Sequence, residues 1–397
     1  MKRYCKHIDI TNRDFVKQAV MDCLIKKFRR RDVIELLSEY SKLSMDFIES
    51  IIQSNYKTFL NGIIETIVDG MIQEIKDKNI KLKPIWYSEK IDESSKKIRR
   101  IGIQSVKQQL YDYLAVYAMM ELFKKKIGYY QCAAIKGRGQ VYGKNAIAKW
   151  LRKPNTKYAV KGDIKKCYES INKDILKQKL GRCIKNDTIL YLVYLLIDTF
   201  EQGLSIGSYL SQFLCNFYLS FAYHFLEDKV VKVRKRRGKE TKVRLIKHQL
   251  WYMDDFIIIG GNKRDVKQAM LLLINFLHTE LQLQVKDGWE VFLIDYKNRG
   301  KFIDMMGFKI YRDHVCVRRR VFLRARRCYR KALKTQKFSF QIAHRCISYY
   351  GWFKNSDSYR FIKKYKVEQI IKKAKERIRD ESTFHRKTAC RALAGTR

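Results

Sequence analysis

Four consecutive residues, Tyr252-Met253-Asp254-Asp255, carry the strongest chemical signal in the chain. Apolar residues flank them, Leu250-Trp251 before and Phe256-Ile257-Ile258-Ile259-Gly260 after. The pattern predicts a hairpin with the two acids at its turn and the apolar residues in its strands. Carboxylates held at the tip of a buried hairpin are costly unless a cation neutralises them. Mg²⁺ suits such oxygens where the substrate carries phosphates. Two such ions, holding the attacking and the leaving oxygen, define two-metal nucleotidyl transfer. Asp also favours turns for purely local reasons, so an isolated Asp-Asp pair would carry little weight. The remainder of the chain supplies that weight.

Tyr158-Ala159-Val160-Lys161-Gly162-Asp163 reads as a strand ending in an acid, and Tyr168 follows five residues after Asp163. Between the two acidic segments lies Gln202-Gly203-Leu204-Ser205-Ile206-Gly207-Ser208-Tyr209-Leu210-Ser211-Gln212, whose glycines permit close backbone approach to a sugar or base. Together these segments resemble the catalytic motifs of reverse transcriptases, whose Tyr-x-Asp-Asp box the chain reproduces. The resemblance implies that Asp163 supplies a third carboxylate beside Asp254 and Asp255, with the Ile164 carbonyl as a further metal ligand. It implies two Mg²⁺ ions, with Mn²⁺ as a substitute. Tyr168 would be the aromatic gate that rejects a ribose 2′-hydroxyl, and Gln202-Gly203 would position the dNTP. Lys97 to Ile103 resembles the fingers hairpin, in which Arg99 or Arg100 would contact the triphosphate in bidentate fashion. The loop from Gln131 to Gln140 occupies the place of a template-lining segment, with Arg138 as its cation. Phe302-Ile303-Asp304-Met305-Met306-Gly307-Phe308 resembles the primer-grip turn, at Met306 and Gly307. Lys286 stands where relatives place a lysine that protonates pyrophosphate. Ser348-Tyr349-Tyr350-Gly351-Trp352 resembles a segment of bacterial thumbs.

Most relatives, including group II intron and retron enzymes, end the central motif in Ser-Pro. Here it ends in Ser211-Gln212, as in enzymes of diversity-generating retroelements and of the loosely defined, often defence-associated, bacterial group. The chain also departs from compact relatives in its first ~80 residues and in a basic insertion at 229–247.

Composition agrees with a polyanionic partner. The 397 residues include 84 Lys+Arg against 40 Asp+Glu, a net charge of +44 that would self-repel unless neutralised. Nucleic acid is the expected counterpart. Arg319, Arg320, Arg324 and Arg327 would spread over one helix, as in a thumb resting on a phosphate backbone; Lys235, Arg236 and Arg237 form a second basic group. No apolar run reaches the roughly 18 residues of a spanning helix, the N-terminus lacks a signal-peptide core, and the 10 cysteines contain no Cys-x-x-Cys pair. The expectation is a protein of the reducing cytoplasm, away from membranes.

Helical periodicity fills residues 9 to about 80, an extended region spans 85 to 104, and one long helix is expected from Ser105 to Lys126. The expected fold class is α+β: a right-hand polymerase with fingers and palm, a helical N-terminal extension and a helical thumb. The domains would be 1–84 (extension), 85–162 (fingers and start of palm), 163–317 (palm) and 318–397 (basic thumb and tail). The expected function is RNA-directed DNA synthesis, copying a dedicated structured non-coding RNA into cDNA from dNTPs, in antiviral (phage) defence. A diversity-generating retroelement enzyme is the alternative within the class, and a catalytically silent RNA-binding scaffold the alternative outside it. The primer, an accessory protein and a homo-oligomer stay open.

Overall fold

The computed structural model describes residues 2–54, 56–91, 98–236, 238–294, 300–335 and 339–379. By packing, the chain divides into two compact units. One comprises Met1–Ala134, Asp163–Lys229 and Leu272–Asp287; the other comprises Ile135–Gly162, Val230–Leu271 and Gly288–Arg397. Helices and sheets mix without strict alternation, as an α+β chain requires.

The first unit begins with the extension, four helices at Arg13–Leu24, Arg31–Ser41, Met45–Ser54 and Lys57–Lys76. Its apolar stripes, including Val16, Val20, Ile34, Leu37, Ile64 and Ile67, are buried. The side chain of Asn12 starts the first helix by accepting from the N–H of Phe15. Helix Val106–Ala118, capped by Ser105, is the spine of the unit and packs on helices Arg13–Leu24, Asp187–Asp198 and Tyr209–Asp228. The single helix expected over 105–126 is broken at Met119, whose φ of −91° and ψ of 5° leave the helical region. The following segment, Met120–Lys126, turns to set Phe123 against Phe213, ring centroids 5.3 Å apart. Strands Trp86–Ile91 and Ile98–Ile103 form an antiparallel hairpin, and the Gly102 N–H donates to the Ile206 carbonyl at 3.2 Å.

In the second unit, strands His248–Tyr252, Asp255–Gly260, Tyr158–Asp163 and Val291–Leu293 are successive neighbours in one sheet. Phe256 to Ile259 are fully buried, the continuous apolar run of a strand covered on both faces. Lys157 N–H donates to the Gly260 carbonyl at 2.9 Å while Lys161 reaches Asp255, so these two strands run antiparallel. A Cβ at Gly162 would run into the Phe256 ring, which makes glycine the residue that fits. Strands Ile303–Met305, Phe308–Ile310 and Val315–Val317 form a small antiparallel sheet. Helices Arg319–Lys334, Phe340–Lys354 and Tyr359–Lys364 close around Tyr329, Phe353 and Phe361, with the last two rings stacked 4.2 Å apart. The insertion is a hairpin, Val231–Arg236 with Lys239–Arg244. Among the described residues, no helix is long and apolar enough to cross a membrane.

Candidate active site

The expected hairpin forms, but only one of its two acids, Asp254, sits at the turn, because Asp255 already pairs within the second strand. Tyr252 pairs with Asp255, so Met253 and Asp254 are the two turn residues. Asp is the residue expected to tolerate a left-handed turn, yet it is Met253 that has the positive φ, 53°. A positive φ at the first turn position alone is the sign pattern of a type II′ turn, which glycine ordinarily fills. A methionine there is held by its surroundings rather than by its own preference.

Asp255 opens the second strand of this hairpin, and the Lys161 ammonium lies 3.2 Å from its carboxylate, both side chains about one-third exposed. Lys161 escaped the sequence reading. The available signal was the period of two along Tyr158–Asp163, which puts Lys161 and Asp163 on the same face of the strand. The other expected turn in this unit, Met306-Gly307, has φ values of 53° and 81°, the signs of a type I′ hairpin. Gly307 lies under the Trp352 ring, where a Cβ would collide, and its carbonyl accepts from the Arg318 N–H at 2.9 Å. Trp352 thereby ties the small sheet to the helices that follow it. Arg138 is half-buried beside a turn in which its N–H donates to the Ile135 carbonyl at 3.0 Å. Arg319, Arg320 and Arg327 are exposed on their helix and Arg324 is half-buried, with Ala325, Tyr329 and Ala332 on the buried face. Lys235 is exposed and pairs with Glu240 at 3.0 Å. Arg237 and the Arg236 side chain lie outside the described residues, as do Lys96 and Lys97.

In the first unit, Asp163 and Lys286 come together. The Lys286 N–H donates to the Asp163 carbonyl at 2.8 Å, and its ammonium pairs with Asp163 Oδ1, without hydrogen-bond alignment. Ile164 forms a bridge with Val285, flanked by the bonds from Lys286 to Asp163 and from Lys165 to Gln284. In such a non-hydrogen-bonded pair, the Ile164 carbonyl faces away from the 284–286 segment. Tyr168 is half-buried on a short helix, Cys167–Ser170. Its carbonyl accepts from the Leu204 N–H at 2.8 Å. Gly203, at a φ of 55°, passes so close to this carbonyl that a Cβ could not fit. The aromatic segment and the glycine motif are therefore one joined unit.

Gln202 and Gly203 line an open cavity of about 600 Å³ with Lys165, Lys166 and Glu169. The two fingers arginines are told apart. The Arg100 guanidinium lies over the Tyr87 ring, 4.2 Å from its centroid, and pairs with Glu201 at 2.7 Å. Strand alternation turns Arg99 to the opposite face. Glu201 was not foreseen, although it immediately precedes Gln202. A second cavity of about 370 Å³ is lined by Lys27, Arg30, Gln104, Gln109, Tyr209 and Gln212, beside the stacked rings of Tyr113 and Tyr209, 4.1 Å apart.

Among the described residues, no three His, Cys, Asp or Glu side chains converge as a ready-made metal cage. Two of the three candidate carboxylates instead face an ammonium. Mg²⁺ bound with nucleotides ordinarily takes one or two carboxylates and completes its shell with phosphate oxygens and water. Carboxylates already held against positive charge have the donor chemistry that such an ion needs, with substrate supplying the remaining oxygens.

Residues 88–288 match the family model described as reverse transcriptase (RNA-dependent DNA polymerase). The chain belongs to that family. No curated protein matches the sequence. Among solved structures, it is similar to apo telomerase from Candida tropicalis truncated from its C-terminal domain, at 15% identity and a TM-score of 0.39, over 59% of this chain and 54% of that one. It is also similar to telomerase from Candida albicans in complex with a fragment of telomeric RNA, at 12% identity and a TM-score of 0.40, over 75% of this chain and 61% of that one. The chain thus spans between half and two-thirds of the length of either telomerase chain.

Proposed function

We propose that this chain is an RNA-directed DNA polymerase. The observation that carries the reading is the acidic turn at Met253-Asp254, held in a backbone conformation that its own residues do not favour, within the segment that matches the family. Asp163 with the Ile164 carbonyl, and Asp254 with Asp255, would hold two Mg²⁺ ions, or Mn²⁺ in their place. Bound there, the ions would neutralise the triphosphate and activate the priming hydroxyl. Gln202 and Gly203 bind the sugar and base of the dNTP, and Tyr168 excludes a 2′-hydroxyl. Arg99 and Arg100 neutralise phosphates, and Lys286 delivers a proton to pyrophosphate. Met306-Gly307 holds the primer. The Lys27–Gln212 cavity, with its amides, cations and tyrosine rings, receives unpaired template. Arg138, the arginines of Arg319–Lys334 and the group Lys235, Arg236 and Arg237 hold the RNA and the product duplex.

The test is primer extension on an RNA template with dNTPs and Mg²⁺. Asp254→Ala with Asp255→Ala should lower incorporation about a thousandfold, the effect of losing several kcal/mol of charge stabilisation, while the chain stays folded. Robust incorporation by the folded double variant would refute the assignment.

Within the family, the Ser211-Gln212 ending supports a bacterial enzyme of the defence-associated or diversity-generating type. The helical extension and the basic charge favour defence, with a dedicated structured non-coding RNA as template. The nine free cysteines among the described residues suit a reducing cytoplasm. Sequencing the RNA and cDNA that co-purify with the chain separates the two roles, because a retroelement enzyme would carry copies of a template repeat.

A further inference from the structure

Helix Val106–Ala118 carries a carboxylate that no catalytic role accounts for. Asp112 is completely buried. Its Oδ2 accepts from the Ser208 hydroxyl at 2.7 Å and, at 3.5 Å, from the Leu210 N–H. Ser208 is the N-cap of helix Tyr209–Asp228, and its oxygen accepts from the Ser211 N–H at 3.1 Å. Asp112 therefore lies at the N-terminus of a 20-residue helix, where free N–H groups and the helix dipole favour an anion. Its immediate surroundings are polar and incompletely paired. Asp112 Oδ1, Gln104 Nε2, Gln108 Oε1 and Ser211 Oγ are all buried without a hydrogen-bond partner. The Gln104 amide acts on the carboxylate from outside hydrogen-bond geometry. Burial raises the Asp112 pKa to about 6, against the bonds from Ser208 and the helix amides. Holding this carboxylate out of water costs desolvation, and a purely structural helix cap would be met more cheaply by Ser208 alone.

What this carboxylate holds is one end of the loop from Gln202 to Ser208. The other end is fixed where Gly203 and Leu204 meet the Tyr168 carbonyl, and the middle where Ile206 accepts from Gly102. We infer that Asp112 is a positioning residue: through Ser208 it fixes the span of backbone that sets Gln202-Gly203 against Tyr168, and so tunes nucleotide affinity and sugar choice. The inference deepens the polymerase reading and rests on it for its kinetic consequence.

Asp112→Ala and Ser208→Ala should each raise KM for dNTP about tenfold, the factor that corresponds to ~1.4 kcal/mol, with kcat and the KM for primer–template changed less than threefold. Asp112→Asn, which still offers Ser208 an oxygen, should restore most of the affinity. The double variant should be no worse than Asp112→Ala, since both remove one linkage. The rNTP:dNTP incorporation ratio should rise in both alanine variants. A merely structural role would instead lower kcat in step with the folded fraction and leave KM and the sugar ratio unchanged, which would overturn the inference. Amide hydrogen exchange of the 199–212 segment reads the same link without activity: exchange should quicken there and not in helix Arg13–Leu24. Unchanged exchange in folded Ser208→Ala, which deletes only a hydroxyl, would also overturn it. Quickened exchange of 199–212 in the folded variants, together with no dNTP incorporation by the wild type, would refute the polymerase reading and leave the linkage standing.

Discussion

On the metal role proposed for Asp255, the Lys161 ammonium would compete with the ion, and that competition sets a measurable requirement for metal. Lys161 Nζ lies 3.2 Å from Asp255 Oδ1. At that distance, an effective dielectric near 20 gives roughly 5 kcal/mol of attraction between unit charges. Both side chains are about one-third exposed, so solvent and salt screen most of it, leaving about 1 kcal/mol. A divalent ion that shares Asp255 must offset this pairing or sit beside the ammonium and be repelled by it. Lys161→Met removes the charge and keeps the stem that packs along the strand. The Mg²⁺ concentration giving half-maximal primer extension should therefore fall about fivefold, the factor equal to ~1 kcal/mol. In an Asp255→Asn background the same substitution should change it little, because the partner charge is gone. The measurement is a Mg²⁺ titration of single-nucleotide incorporation at saturating dNTP, repeated with Mn²⁺. A half-point that is unchanged or raised in Lys161→Met would refute the reasoning. It would mean that Lys161 orients Asp255 for the ion rather than competing with it.

Two further outcomes follow from side chains already placed. Tyr168→Ala should raise the rNTP:dNTP incorporation ratio at least tenfold in direct competition, by opening space where the 2′-hydroxyl projects; an unchanged ratio would assign the gate to another residue. His248 stacks on Trp150, ring centroids 4.6 Å apart, and its pKa is lowered to about 4 by burial and then by Lys153 and Lys247. The unfolded value is near 6.5, so this group contributes stability present above about 6.5 and lost as pH falls toward 4. His248→Gln should flatten the decline in melting temperature over that window, and an equal decline in both proteins would show that other groups cause it.

The parts of the fold that were legible in the sequence are those that a local period encodes. The helical character of the extension, the strand ending at Asp163 and the hairpin around Asp254 announce themselves through apolar spacing or turn chemistry, while the turn at Met306-Gly307 came from the family resemblance alone. The break at Met119 does not, because methionine is a good helix former and its buried neighbours continue the periodicity on both sides. The division into two units, each of three separated segments, was likewise beyond a reading that cuts the chain end to end. Side-chain partners were least legible of all. Arg100 meets Glu201 across 101 positions, and Asp112 meets Ser208 across 96. No pattern along the chain selects such pairs, since each is chosen by how helices and loops pack.

The same distinction separates a motif that is merely present from one that is held. Left-handed backbone at a non-glycine residue costs of order 1 kcal/mol or more, and it persists only where tertiary structure imposes it. Eleven non-glycine residues among those described adopt it, and Lys166, Met253 and Met306 are three of them, with φ values of 46°, 53° and 53°. These three lie inside segments singled out for their chemistry: three residues after Asp163, immediately before Asp254, and at the turn proposed to hold the primer. Asp254, the residue whose side chain would make a turn easy, has been relieved of the turn's strain, which falls on the methionine before it. A turn formed only by Asp preference would place the acid in the left-handed position and leave its carboxylate bonded to its own backbone. Placing the strain on Met253 leaves Asp254 outside the left-handed region. The turn is therefore imposed by the packing around Met253 rather than by the turn preference of Asp.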